Sequence, residues 1–175
     1  KEAGFSVVRY TGNASPSTVG HGLGKPAELI LVKVTSASAS WAVYSEPTGI
    51  NKYLELDNAG LSSNYSNYWG SAAPTNSVFG VVDGNFNNNS SGATLIAYCF
   101  ASIPGYSRVG SYIGTGGSLT VYVGFEPSFV MIKRTDADGN WVIVDDKRAN
   151  GDNRLYVNLS NAEDAGQGES FTSTG

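Results

Sequence analysis

Cysteine, histidine and methionine each occur once in the 175 residues, and charged side chains make up only 15%. Each scarcity closes off a class of protein. The lone Cys99 cannot form an internal disulfide. It sits in the apolar run TLIAYCF, where a free cysteine serves as a small buried hydrophobe. Stability without disulfides suits folding in a reducing cytosol. The lone His21, in GHGLGKP, has no Ser, Cys or Asp at a spacing informative for nucleophilic catalysis, and it reads as a loop histidine making a local hydrogen bond. The 11 Lys and Arg are scattered over a chain of net charge −4, so nothing answers a phosphate backbone and nucleic acid is not an expected partner. No apolar run approaches a membrane span, so membrane insertion is not expected, and no signal peptide is seen. The chain opens on Lys1 rather than methionine, which leads us to expect a piece of something longer.

What is abundant points to strands. The 22 glycines, 10 tyrosines and many Ser, Thr and Asn residues describe a turn-rich all-β protein better than a helical or disordered one. Phe5–Tyr10 reads as a first strand. Leu29–Val32 is too short and too branched for a helix, and has the pattern of a strand buried on both faces. Trp41–Tyr44 returns as its hairpin partner. Tyr53–Leu56 alternates with period two. From Asp57 to Asn76 no period is sustained, which predicts a long surface loop holding Tyr65, Tyr68 and Trp69. Val78–Val82 and Thr94–Phe100 follow as strands, separated by the polar segment Asn85–Gly92.

The pattern then restarts. Lys33, Thr35 and Trp41 reappear as Lys133, Thr135 and Trp141, all at a spacing of 100. Gly4-Phe5-Ser6 reappears as Gly105-Tyr106-Ser107, Tyr10-x-Gly12 as Tyr112-x-Gly114, and Pro26 as Pro127. Leu54-x-Leu56 reappears as Val157-x-Leu159, so the spacing drifts only from 100 to 103, as small loop insertions would make it. A period of that length means duplicated domains rather than a solenoid. The expected architecture is two tandem antiparallel β-sandwich units of jelly-roll or lectin-like type, residues 1–104 and 105–175. The counterpart of Thr94–Phe100 is missing from the second unit, so we expect it to be incomplete, with the polypeptide continuing or a neighbour supplying the strand. Lys1-Glu2-Ala3 aligns with Ser102-Ile103-Pro104, which suggests a further unit before residue 1.

Motifs for chemistry do not hold up. Asp136-Ala137-Asp138-Gly139-Asn140 places its glycine fourth, where an EF-hand needs it sixth, and reads as a hairpin turn. Asp145 and Asp146 are adjacent on a strand and point to opposite faces, so they are no catalytic pair. The glycines at 20, 22 and 24 and at 114, 116 and 117 are not followed by the Lys-Ser/Thr pair or the helix that a phosphate loop requires. Asn13, Asn64 and Asn158 head glycosylation-type triplets, which an Asn- and Ser-rich chain makes freely. No catalytic residue, metal ligand set or cofactor is expected. The aromatics Trp41, Tyr44, Tyr53, Tyr65, Tyr68 and Trp69 remain as a candidate sugar-stacking surface. Trp41 and Trp141 read as core residues. Trp69, with Tyr68, Tyr65 and Tyr53, is the candidate ligand-binding set.

The strings Tyr10-Thr11-Gly12-Asn13, Gly22-Leu23-Gly24-x-Pro26, Ile30-x-Val32-Lys33, Trp41-x-Val43-Tyr44, Lys52-Tyr53-Leu54 and Ser90-Ser91-Gly92-x-Thr94 carry a resemblance. The chain resembles, twice and over nearly its whole length, the repeat of about 100 residues in virion proteins of tailed bacteriophages of marine and cyanobacterial hosts. The second copy departs from it where Gly22-Leu23-Gly24 becomes Gly124-Phe125. The resemblance implies a non-enzymatic tail-fibre or appendage module in the virion, supporting attachment to host surface glycans. Its implied partners are other virion proteins and further copies of itself, as in a homotrimer. The competing expectation is a carbohydrate-binding module of a secreted, extracellular bacterial protein. A glycosidase would need two facing carboxylates, and the sequence offers no such pair.

Overall fold

The structure, a computed structural model, describes residues 4–61, 63–82, 84, 86–166 and 170–171. The outer ends of both expected units, Lys1–Ala3 and Thr172–Gly175, lie outside the described residues, as does Asn85 at the start of the polar segment. The chain is all-β, with antiparallel pairing throughout and two single-turn 3-10 segments. Its strands are β1 (Phe5–Thr11), β2 (Ser17–Gly20), β3 (Leu29–Val34), β4 (Ala42–Ser45), β5 (Lys52–Glu55), β6 (Ser63–Asn64), β7 (Val78–Val81), β8 (Thr94–Phe100), β9 (Phe129–Ile132), β10 (Val142–Asp145) and β11 (Leu155–Tyr156).

Six strands form the main sheet in the order β1-β8-β3-β4-β5-β6. Strand β8 lies in its interior, paired from Thr94↔Thr11 to Phe100↔Phe5 on one edge and from Leu95↔Val34 to Phe100↔Leu29 on the other. Period-two alternation sorts its residues. Leu95, Ala97 and Cys99 are fully buried with Ile30, Val32 and Val34 of β3, against Val19, Phe79 and Val81 of the two-stranded β2-β7 sheet. The layers are unequal, six strands against two.

The expected surface loop 57–76 is corrected by the structure. It turns inward and delivers Tyr68 and Trp69 to the core, 1% and 0% exposed. A two-stranded layer cannot cover a six-stranded one, and these rings cover part of the remainder. The backbone meets its needs locally, Trp69 N–H donating to the Ile50 carbonyl and Gly70 N–H to that of Asn67. Gly70 crosses Gly80 of β7 so closely that a Cβ on Gly80 would lie 2.5 Å from the Trp69 carbonyl oxygen.

A third sheet, in the order β11-β10-β9, repeats the arrangement of β5-β4-β3. It docks on the outer face of the main sheet. Val43 and Leu54, 0% and 2% exposed, pack with Trp141 in a second core that takes in Leu29, Leu31, Leu56, Met131 and Val157. This cover explains why Leu29 and Leu31 are apolar, although they face away from the main core and are only half-buried. The Trp141 indole donates to the Glu55 carbonyl at 2.8 Å. The turn 136–140 adds Gly139 N–H to the Ala59 carbonyl and Leu61 N–H to Asp138 Oδ1, at 2.9 and 3.0 Å. Trp41, aligned with Trp141, is only half-buried; it lies beside Tyr98 and under the Lys33 ammonium. The aligned lysines serve the same purpose in both copies. Lys33 Nζ donates to the Ala39 carbonyl and Lys133 Nζ to that of Gly139, each tying its hairpin turn to its strand.

Trp141→Ala should remove about 3–5 kcal/mol from this docking and leave the β8-centred sheet intact. Limited trypsinolysis checks this: cleavage after Lys133, Arg134, Lys147 and Arg148 should accelerate while residues 4–100 survive as a protected fragment. Equal cleavage in both proteins would show that Trp141 does not hold the sheets together.

Candidate functional site

The four residues of the candidate ligand-binding set do come together, with Tyr68 and Trp69 facing inward. Tyr53 and Tyr68 stack at 4.2 Å between ring centroids, with planes 16° apart. Tyr68 meets Trp69 edge-on at 5.4 Å, and Trp69 meets Tyr44 at 5.6 Å. Tyr65 closes the group, 5.8 Å from Tyr68 and 4.7 Å from Phe86, and is the most open of the four at 36% exposure. The Trp69 indole N–H is committed to the Lys52 carbonyl at 3.1 Å. Burial raises the Tyr68 pKa well above its ordinary value and pushes Tyr44 up to about 12. Trp69 and Tyr68 therefore offer no ring face to a sugar, which corrects their place in the set; Tyr65 and the half-buried Tyr53 are its more open members. The expected roles of two tryptophans are exchanged: Trp69 is the core residue and Trp41 the more open one.

The residues that give the molecule its polar interior lie in the segment the sequence marked only as a spacer. Asn88 and Asn89 are 0% and 1% exposed. Asn89 Nδ2 donates to the Ser15 and Val82 carbonyls at 2.8 and 2.7 Å, and its Oδ1 accepts from Asn13 N–H at 3.0 Å. Asn88 Nδ2 donates to the Tyr68 carbonyl, and the Asn88 carbonyl accepts from the Tyr10 hydroxyl. Two adjacent amides thus join β1, the approach to β2 and the aromatic loop. No sequence signal singled them out, because their partners lie elsewhere in the chain, at Tyr68, Ser15 and Val82.

Beside these amides, between β1 and β2, runs an open groove of about 400 Å³, lined by Arg9, Tyr10, Asn13, Ser17, Val19 and Asn89 among others. Its size suits a small ligand. Much of its polar wall is already paired: Asn13 Nδ2 donates to Ser17 Oγ at 2.8 Å, and Asn13 Oδ1 accepts from Ser15 N–H. The exposed Arg9 supplies the groove's positive charge.

The remaining candidates have structural partners. His21 is 2% exposed; its Nδ1 accepts from Leu23 N–H and its Nε2 donates to the Thr75 carbonyl. Burial pushes the Cys99 thiol up to about 12, far from thiolate chemistry. Asp145 accepts the N–H groups of Lys147 and Arg148, whereas Asp146 pairs with the Lys147 ammonium. Among the described residues, no group of three or more His, Cys, Asp or Glu could hold a metal ion, and no helix is long and apolar enough to cross a membrane.

A family model matches residues 1–175, the full length of the chain. The chain belongs to the DUF7483 family. That family is described as a domain of unknown function. No curated protein and no solved structure matches the chain. What characterises this chain is its own geometry: an aromatic interior, an amide clamp and a polar groove.

Trp69→Ala tests the inward placement. The structure predicts a loss of about 3–5 kcal/mol, seen as a lower urea midpoint. An unchanged midpoint would mean that the ring sits at the surface.

Proposed function

We propose that the chain is a non-enzymatic structural and adhesion module of a bacteriophage tail fibre or similar virion appendage, supporting attachment to host surface glycans. The observation that carries this reading is the joint between successive sheets. Trp141, at an aligned repeat position, is buried 4% exposed against Val43 and Leu54 and bonded to the Glu55 backbone. A repeat that contributes a large apolar residue to its predecessor's outer face makes a stiff connection, and tandem copies give a fibre length and avidity. Family resemblance supplies the virion setting; the joint supplies the mechanical role.

For glycan contact the groove between β1 and β2 replaces the aromatic loop. Sugar hydroxyls suit the Asn13, Ser17 and Thr18 side of its wall, and Arg9 favours an acidic sugar. A carbohydrate-binding module of a secreted bacterial protein would use the same groove, so the groove favours neither setting over the other.

A glycan array probed with the full chain tests attachment. The expected result is one sugar class bound, acidic sugars foremost, and weakened about tenfold in Arg9→Ala, the scale of one charge-assisted hydrogen bond. Binding unaffected by Arg9→Ala would exclude the groove as the site. A flat array would reduce the role to scaffold, and hydrolysis of an arrayed glycan would overturn the non-enzymatic reading.

A further inference from the structure

Among the described residues the three sheets leave six strand edges open, those of β1, β2, β6, β7, β9 and β11. Five belong to strands of four residues or fewer, and shortness is itself a protection against unwanted pairing. Strand β1 is the exception. It runs for seven residues, FSVVRYT, with no proline, no bulge in its ladder and a single charge, Arg9. The first copy has its β8 in place, and the open edge lies on the other side of β1. The groove of about 400 Å³ runs past Arg9 and Thr11, so no described part of the chain lies against that stretch.

The register says which backbone groups are open. Hydrogen-bonded and non-bonded pairs alternate along an antiparallel ladder. The Ala101 N–H donates to the Gly4 carbonyl at 2.8 Å, and the Gly12 N–H to the Ala93 carbonyl at 3.0 Å. Ser6, Val8 and Tyr10 therefore bond to β8, while Phe5, Val7, Arg9 and Thr11 turn their N–H and C=O groups to the open edge. The same four carry their side chains on the outer face. Phe5 and Val7 are 41% and 54% exposed, and Arg9 and Thr11 are exposed as well.

We propose that this edge pairs antiparallel with β1 of a second copy, about a two-fold axis at Val7. Within a second copy β1 is the one donor of matching length, because β3, β4, β5 and β8 are laddered on both edges and the other open strands are short. Charge selects the register. An axis at Arg9 would set the two guanidinium groups face to face, and an axis at Val8 would set each against Val7. An axis at Val7 sets each Arg9 beside the Phe5 ring of the other copy, a cation–π pairing, and Val7 against its own mate. Phe5 is already held in place by Phe100, at 4.8 Å between ring centroids. Each of the three facing pairs exchanges two backbone bonds, about six in all. The result is one continuous sheet across two copies. This inference does not depend on what, if anything, the groove binds.

Sedimentation equilibrium of the full chain tests it. A monomer–dimer equilibrium is expected, since an isologous edge closes at two copies. Val7→Lys sets two ammonium groups face to face on the axis and should weaken the dimer at least about tenfold. Its side chain points to solvent, and circular dichroism confirms that the variant folds. Cross-linking reads the register. Cys99 is buried, so an added surface cysteine is the accessible thiol. Val7→Cys should give a disulfide-linked dimer under mild oxidation, because facing residues lie within disulfide reach. Thr11→Cys should not, because the axis holds the two copies of that position far apart. A chain that stays monomeric up to about 1 mM, a trimer, a dimer indifferent to Val7→Lys, or equal cross-linking of the two cysteine variants would overturn the proposal.

Discussion

Strand β8 is the element on which the rest of the structure depends. It comes last among the strands of the first hundred residues and occupies the interior of the sheet, between the first strand and the hairpin. Its pairing with β1 joins residues from opposite ends of that stretch, so the chain meets a large loop-closure cost before the ladder forms. What offsets that cost is two ladders on one strand and a fully buried row of Leu95, Ala97 and Cys99. In the second copy, where no β8 counterpart lies among the described residues, the aligned segments differ. The local hairpin β9-β10 still forms, because its partners are adjacent in sequence. The β1 counterpart has no partner strand among the described residues and forms no strand.

The same distinction governs what could be read from the sequence. Local features were legible: the β3-β4 hairpin and its copy, the period-two strands, the turn at Asp136–Asn140 and the local hydrogen bond of His21 with Leu23. Aligned residues were less reliable guides to environment. Trp41 and Trp141 occupy equivalent positions, yet only Trp141 has an opposing sheet to bury it. Residues 57–76 carry no sustained period because a turn, rather than a long strand or helix, inserts Tyr68 and Trp69. Their burial follows from the narrowness of the β2-β7 layer, which no local pattern encodes. Asn88 and Asn89 were hidden for a related reason. A buried amide is recognised by its distant partners, here Tyr68, Ser15 and Val82.

For function, burial moves attention from rings to surfaces. An aromatic cluster whose members stack on one another and donate to backbone carbonyls is a core, however suggestive its composition. What faces outward is a polar groove with one arginine.

Whether β8 alone distinguishes the closed first copy from the open second can be settled by residue-resolved amide hydrogen exchange. Leu31 and Met131 are aligned, apolar and half-buried, and their amides point to equivalent edges. If β8 is the difference, Leu31 exchanges only with global unfolding, whereas Met131 exchanges through local access to solvent. Equal, strong protection of both amides in the monomer would contradict this, since the edge of β9 would then already be occupied.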